Sequence, residues 1–144
     1  MANIKQKFIK PGRDYNYSEG VKVLNSTASA IAKDTVLFVN GYSGPFLKVI
    51  EAKGNNPEDA QGRLFIAKNE IPASGYGVAL PWRLVTGSID MSGATVGDPV
   101  YAKDGGGLTL SAGGATKDRI VGHVVAATNP GAYLFSGELG TQEL

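Results

Sequence analysis

The stretch SGATVGDPVYAKDGGGLTLSAGGATKDRIVGHVVAA, residues 92–127, decides the fold class of this 144-residue chain. Its three short apolar runs are separated by glycine-rich turns, which is typical of strands rather than helices. Gly97-Asp98-Pro99 suits the start or the edge of a strand, because proline fixes φ and donates no ladder hydrogen bond. Gly105 to Gly107 supplies the positive-φ residues that a tight reversal before Leu108 needs. The stretch therefore predicts a compact β-domain.

The end of this stretch, Arg119 to Ala127, has the most regular strand pattern in the chain. Strict alternation divides its side chains into two sets, Ile120, Val124 and Ala126 on one face and Val121, His123 and Val125 on the other. Both sets are apolar. We therefore expect this strand to be covered on both sides.

The preceding chain continues the pattern of short strands. Five runs predict strands by composition or alternation: Val21 to Leu24, Thr35 to Asn40, Pro45 to Glu51, Arg63 to Asn69 and Tyr76 to Thr86. Asn40-Gly41 predicts the turn between the second and third strands, and Asn56 to Asp59 predicts a short helix on a loop. Pro81 places the fifth strand at an edge or a bulge, and burial habits favour a core position for Trp82.

Composition limits the class of protein. The chain has 20 glycines, 42% hydrophobic and 19% charged residues, and a net charge of +1, which is typical of a single globular domain and gives no support for a nucleic-acid binder. It has no cysteine, which excludes a disulfide framework and a cysteine-based metal site. The first ten residues have no apolar core of signal-peptide length, and no run approaches 18 apolar residues. We therefore expect synthesis in the cytoplasm and no membrane partner.

The first 16 residues form a predicted arm, and residues 17–144 a single predicted β-domain. Residues 1–13 carry four basic residues and no acid, whereas the remaining 10 basic and 13 acidic residues sum to −3. One interpretation is a terminus whose charges are simply solvated. The other is a basic segment with apolar anchors that adds a strand to a partner's sheet edge. On the second interpretation the candidate partner-binding residues are Ile4, Lys5, Lys7, Phe8, Lys10, Arg13, Tyr15 and Tyr17.

No pattern in the sequence indicates a catalytic, cofactor-binding or metal-binding site. His123 is the one histidine, and its position between valines favours a core or partly buried structural role. A single histidine without cysteine cannot supply the ligands of a structural zinc site. No serine lies in a G-x-S-x-G context, and no Lys-Ser/Thr pair follows Gly107 as in a phosphate-binding loop. We expect the protein not to be an enzyme, although a triad assembled in space at a barrel mouth remains an alternative.

Two parts of the chain resemble each other. Ala30 to Val36 (AIAKDTV) parallels Ala94 to Val100 (ATVGDPV), and each is followed by a glycine turn, a short strand and an arginine-led strand. This pattern predicts either two similar halves related by a pseudo-two-fold axis or the local recurrence of turn residues. The sequence leaves both open.

The order of ATVGDPVY, a glycine turn with LTL, RIVGHVVAA and a closing strand at Gly131 to Ser136 resembles the bacteriophage capsid cement, or head decoration, proteins. The resemblance extends over residues 30–135. It implies an all-β fold, a small β-barrel or sandwich (β-tulip or jelly-roll-like) of short antiparallel strands with an extended N-terminal arm. It also implies a virion protein without cofactor or catalytic site that binds the outer surface of the assembled head and bridges adjacent major capsid protein subunits.

Self-association and an alternative function complete these expectations. A homotrimer on a local three-fold axis of the shell is the first expectation, and a homodimer on a two-fold axis the second. The alternative is a non-enzymatic carbohydrate- or protein-binding β-barrel module of a virion, with Trp82 or Tyr42 as a stacking platform.

Overall fold

The computed structural model describes residues 20–55, 62–111 and 119–137. These residues form ten strands and no helix: β1 (Val21–Asn25), β2 (Val36–Ser43), β3 (Phe46–Glu51), β4 (Leu64–Ala67), β5 (Tyr76–Leu80), β6 (Trp82–Val85), β7 (Pro99–Ala102), β8 (Leu108–Thr109), β9 (Ile120–Ala126) and β10 (Ala132–Ser136). The predicted all-β fold is confirmed. The arm, all eight candidate partner-binding residues and the predicted helix at Asn56 to Asp59 lie outside the described residues.

Strands β1 to β5 close into a barrel in the order β1-β3-β2-β4-β5. Every neighbouring pair is antiparallel except β1 and β3, which are parallel with Val23 opposite Leu47. The expectation of antiparallel strands therefore has one exception, and it has a geometric cause. Directions cannot alternate all the way around a closed ring with an odd number of strands, so at least one pair must be parallel.

Apolar side chains fill the barrel. They come from alternate positions of its strands and from two loops that bridge at Ile31 and Ile71, and comprise Val23, Ile31, Leu37, Val49, Phe65, Ala67, Ile71 and Ala79. Asn25 closes one end of the barrel with its fully buried side chain. Its Nδ2 donates to the carbonyl oxygens of Ser29, Ile71 and Pro72 at 2.8, 3.3 and 3.1 Å, and its Oδ1 accepts from the Thr27 backbone N–H at 2.9 Å.

The remaining strands form an open antiparallel sheet in the order β6-β10-β9-β7-β8. One face of this sheet packs against the outside of the barrel. Strand β4 lies between the two and is buried at all four positions, with Leu64 and Ile66 facing the sheet and Phe65 and Ala67 facing the barrel interior. The barrel and the sheet therefore share one hydrophobic core.

The prediction of one strand from Tyr76 to Thr86 is wrong, because the chain changes sheets at Pro81. Strand β5 before it belongs to the barrel, and β6 after it is an edge strand of the open sheet. Proline has no N–H to contribute to a ladder, so this position suits the crossing point. The backbone of Pro81 contributes its carbonyl oxygen, which accepts a hydrogen bond from Gly137 N at 3.1 Å.

The turn predicted at Asn40-Gly41 is also wrong. Strand β2 continues to Ser43, and the hairpin reverses at Gly44-Pro45. The ladder pairs Val39 with Val49 and Gly41 with Lys48, which leaves Asn40 as the extra residue of a β-bulge. The reversal predicted at Gly105 to Gly107 is confirmed, with φ of 82°, 112° and 84° between β7 and β8.

The two halves of the chain share one topology. The first five strands pair as β1-β5-β4-β2-β3, and the second five pair in the corresponding order, β6-β10-β9-β7-β8. Corresponding loops make corresponding backbone bonds: Ile31 N donates to Ile71 O at 2.9 Å, and Met91 N donates to Thr128 O at 2.8 Å. The halves differ in closure, because β3 has six residues and pairs with β1, whereas β8 has two and, within the described residues, pairs only with β7.

Candidate interaction surface

The side of the open sheet that does not pack on the barrel carries apolar side chains on four of its five strands, and β8 contributes the polar Thr109. We call this side the open face and define it by the outward residues Trp82, Leu84, Pro99, Tyr101, Thr109, Ile120, His123, Val125, Leu134 and Ser136. Its centre is a row of cross-strand neighbours in which Leu84 lies opposite Leu134, Leu134 opposite His123, and His123 opposite Pro99. Such neighbours lie about 5 Å apart and form a continuous surface.

The open face corrects the prediction for Trp82. Its side chain is 55% exposed, and those of Leu84 and Leu134 are 53% and 42% exposed. The alternate residues of β6, Arg83 and Val85, face the barrel, so Trp82 and Leu84 must point away from it. The alternation of β6 was visible in the sequence, but which of its sides would be covered was not.

The prediction that β9 is covered on both sides is also wrong, because one side of this strand lies on the open face. Two β-bulges, one against β7 and one against β10, break its strict alternation. Val121, Gly122 and Val124 are buried, whereas Val125 is 43% exposed and His123 is half-buried on the open face. His123 is thus a surface neighbour of Leu134 and Pro99 rather than a core side chain.

None of the ten outward residues carries a charge when His123 is neutral. This contrasts with the outer surface of the barrel, where Lys22 Nζ lies 5.1 Å from the ring centre of Phe46 and 5.2 Å from that of Tyr76. The two rings pack edge to face with centroids 5.1 Å apart. In that cluster the Lys22 ammonium group makes cation–π contacts with both rings. The ten outward residues of the open face include no such charged group to orient a polar ligand.

An ion pair fixes the edge of the open sheet to the barrel. Arg83 Nε lies 3.3 Å from Asp34 Oδ1, and Arg83 Nη1 donates to the Lys68 carbonyl oxygen at 3.0 Å. Asp34 has a positive φ of 67°, a left-handed conformation that costs energy for a residue other than glycine. Beneath this pair, burial and then the charge of Asp34 raise the pKa of the Tyr133 phenol above its ordinary value.

Two grooves of the described residues lie around the end of β3. The larger, of about 540 Å³, runs between the loop from Thr27 to Thr35 and the residues Ile50 to Lys53. The smaller, of about 210 Å³, extends past Asp34 to Leu108. Glu51 lines both, and its carboxylate accepts a hydrogen bond from Gly107 N at 3.1 Å. Neither groove is lined by Trp82, Tyr42 or His123.

No group of three or more His, Asp or Glu side chains among the described residues could hold a metal ion. A membrane-crossing helix is likewise not found among them. The open face itself offers apolar contact area, which is what recognition of another macromolecular surface requires.

No family model, curated protein or solved structure matches the chain. All eight predicted partner-binding residues, from Ile4 to Tyr17, lie outside the described residues. The alternative platform Tyr42 is 77% exposed on the barrel, away from the open face. Sequence reasoning missed Leu84 and Leu134, because period-2 alternation reveals two faces without revealing which one is covered.

Proposed function

We propose that this chain is a bacteriophage capsid decoration, or cement, protein that binds the outer surface of the assembled head and bridges adjacent major capsid protein subunits. The observation that carries the proposal is an all-β body in which four of the seven exposed large hydrophobic side chains of the described residues, Trp82, Leu84, Val125 and Leu134, lie on one sheet face. The motif order that resembles the decoration proteins supports the same class. A protein with this role works through contact area, and its location is the exterior of the virion.

Attachment uses the basic arm. Its four cations, Lys5, Lys7, Lys10 and Arg13, attract an acidic coat surface, and Ile4, Phe8, Tyr15 and Tyr17 supply the apolar anchors. Extended segments of this kind bind by adding a strand to an exposed sheet edge. A single contact of this size reaches roughly micromolar affinity. Joining several contacts in a symmetric oligomer raises the overall affinity by about 10²- to 10⁴-fold.

The test uses expanded heads of the phage whose genome encodes the chain. We expect the purified chain to co-sediment with these heads and to raise their temperature of rupture, because bridged coat subunits must separate before the shell opens. Heads that break at the same temperature with and without saturating protein would contradict the proposal.

The contribution of the arm is tested in the full-length chain. Replacing Lys5, Lys7, Lys10 and Arg13 by glutamine should weaken head binding by roughly tenfold or more at low salt and flatten its salt dependence, because screening acts on exposed charges. The matched control replaces four cations of the described body, Lys22, Lys48, Lys68 and Lys103, by glutamine. Equal losses in both variants would show that net charge, and not the arm, drives attachment.

The exposure of Trp82 favours a second candidate, a carbohydrate-binding module of a virion. An exposed tryptophan is a common stacking platform for sugar rings, although such sites are usually concave and contain polar groups. Trp82 is the only tryptophan, so its fluorescence reports on this position alone. Saturable quenching by a glycan in the parent chain and in Tyr42→Ala, together with loss of glycan binding by Trp82→Ala in isothermal titration calorimetry, would establish this candidate instead.

A further inference from the structure

We infer that the open face is a self-association surface, on which two copies of this chain pack face to face around a two-fold axis. The inference goes beyond attachment to a head, since it concerns how the chain binds itself. It rests on the correspondence between the two halves, the charge of the open face and its area.

The first argument comes from the repeated topology. In the first half, Leu37 of β2 and Ala79 of β5 face the closed barrel interior, whereas Val36 faces the second sheet. In the second half, Val100 of the corresponding strand β7 faces the shared core, so its neighbours Pro99 and Tyr101 lie on the open face. The open face is therefore the counterpart of the barrel interior. The first half covers that side by pairing β3 with β1, and the two-residue β8 leaves it open in the second.

The lack of charge on the open face distinguishes between two partners that could cover it, the coat surface and a second copy of this chain. A coat surface that attracts the basic arm must be acidic, and a face without charged side chains has nothing to complement it. An identical apolar face is complementary to it. The polar groups Thr109 and Ser136 lie at the margin of the row from Leu84 to Pro99, as in an interface with an apolar centre and a polar rim.

The available area fits a weak dimer. Trp82, Leu84, Val125 and Leu134, which are 42–55% exposed, leave on the order of 100 Å² each at the surface. With the smaller exposed parts of the other six outward residues, the open face offers roughly 500 Å² per copy. Two such faces in contact bury about 1,000 Å² in total, the lower limit for a specific interface. We therefore expect dissociation in the micromolar range, which becomes significant where copies are concentrated on a repeating surface.

We place the two-fold axis parallel to the strands and between β10 and β9, near the middle of the open face. It places β6 of one copy over β7 of the other, so that the Trp82 ring packs on Pro99 and Tyr101 of the second copy. The same axis places Leu134 over His123. The two sheets then form a sandwich with the usual separation of about 10 Å.

The test measures mass and Trp82 fluorescence together in the full-length chain, from low-micromolar to near-millimolar concentration. Sedimentation equilibrium should show a monomer–dimer equilibrium, and the Trp82 emission should shift to the blue and resist acrylamide quenching over the same concentrations. Leu134→Lys should weaken dimerisation by roughly tenfold or more, because it places a charge at the centre of the contact. Leu84→Lys is the second variant, in case the first fails the check of folding by circular dichroism.

The matched control is Tyr42→Lys, which places the same charge at a more exposed aromatic residue outside the open face and should dimerise like the parent chain. Three results would overturn the inference. They are a monomer with exposed Trp82 at every concentration, a monomer in which Trp82 is already shielded by another segment of its own chain, and shielding of Trp82 that begins only when heads are added. Head binding by Leu134→Lys is measured separately, so that loss of the dimer and loss of attachment remain distinguishable.

Discussion

At the level of single residues, the burial of Tyr133 makes the free energy of unfolding depend on pH. Its side chain is fully buried, and its hydroxyl has no hydrogen-bond partner among the described residues. Burial and the nearby Asp34 carboxylate both disfavour the phenolate, so the pKa of Tyr133 is raised in the folded state. The folded protein therefore binds the phenol proton more tightly than the unfolded chain does.

We expect Tyr133→Phe to change stability at alkaline pH more than at neutral pH. The stability linked to the raised pKa is fully present below about pH 10, the unfolded pKa, and is lost as the pH rises towards the folded pKa. Above pH 10 the parent chain should therefore lose up to about 1.4 kcal/mol per pH unit more than Tyr133→Phe does. At pH 7 the variant should be within about 1 kcal/mol of the parent or more stable, because the lost hydroxyl makes no hydrogen bond.

Urea unfolding of the two proteins at pH 7, 9, 10 and 11 measures this difference. The control is Tyr101→Phe on the open face, which keeps Tyr133 and should keep the alkaline loss of the parent. A Tyr133→Phe curve that runs parallel to that of the parent through pH 11 would contradict the prediction.

At the scale of the strands, Gly122 explains how β9 and β10 approach each other. A Cβ at this position would overlap the Leu134 carbonyl oxygen and lie 2.8 Å from Tyr133 Cδ2. The first of these obstacles is backbone, which cannot move without breaking the ladder between β9 and β10. The glycine in the apolar run RIVGHVVAA is thus required by space.

We expect Gly122→Ala to destabilise the protein by about 2 kcal/mol or more, as overpacked core substitutions do. The matched control is Gly93→Ala, at a position where a Cβ meets nothing within 4 Å. Thermal unfolding of both variants provides the measurement. Similar unfolding temperatures for the two would show that β9 and β10 can separate without cost.

At the scale of the whole molecule, the shared core makes the barrel and the open sheet depend on each other. Ile66 of β4 is fully buried between them, in one cluster with Val85, Val100 and Phe135. Neither unit can unfold without exposing apolar surface of the other. The described body should therefore unfold as one cooperative unit.

The variant Ile66→Ala tests this dependence. We expect a loss of about 2–5 kcal/mol and a single transition that is the same by Trp82 fluorescence, which reports on the sheet, and by far-ultraviolet circular dichroism, which reports on all strands. The exposed Leu84→Ala is the control and should cost far less. Two separate transitions would contradict a shared core.

Local patterns in the chain were enough to predict the fold class, most of the strands and the glycine reversal before β8, because these depend on local backbone preferences and on period-2 alternation. The likeness of AIAKDTV and ATVGDPV left open whether the chain has two similar halves, and the common strand order favours them. Where local signals compete, sequence reasoning failed: Asn40-Gly41 forms a bulge, and Pro81 divides a strand that alternation had joined.

Which surfaces are covered follows from how the strands pack in three dimensions. Trp82, Leu84 and Leu134 are residue types that are usually found in a core. They lie on the open face because the opposite sides of β6 and β10 pack against the barrel. Asn25 is a residue type that is usually exposed. It is fully buried here because its Nδ2 donates hydrogen bonds to three backbone carbonyl oxygens. Burial is a property of how elements pack, and packing depends on contacts between residues far apart in the chain, which no local pattern encodes.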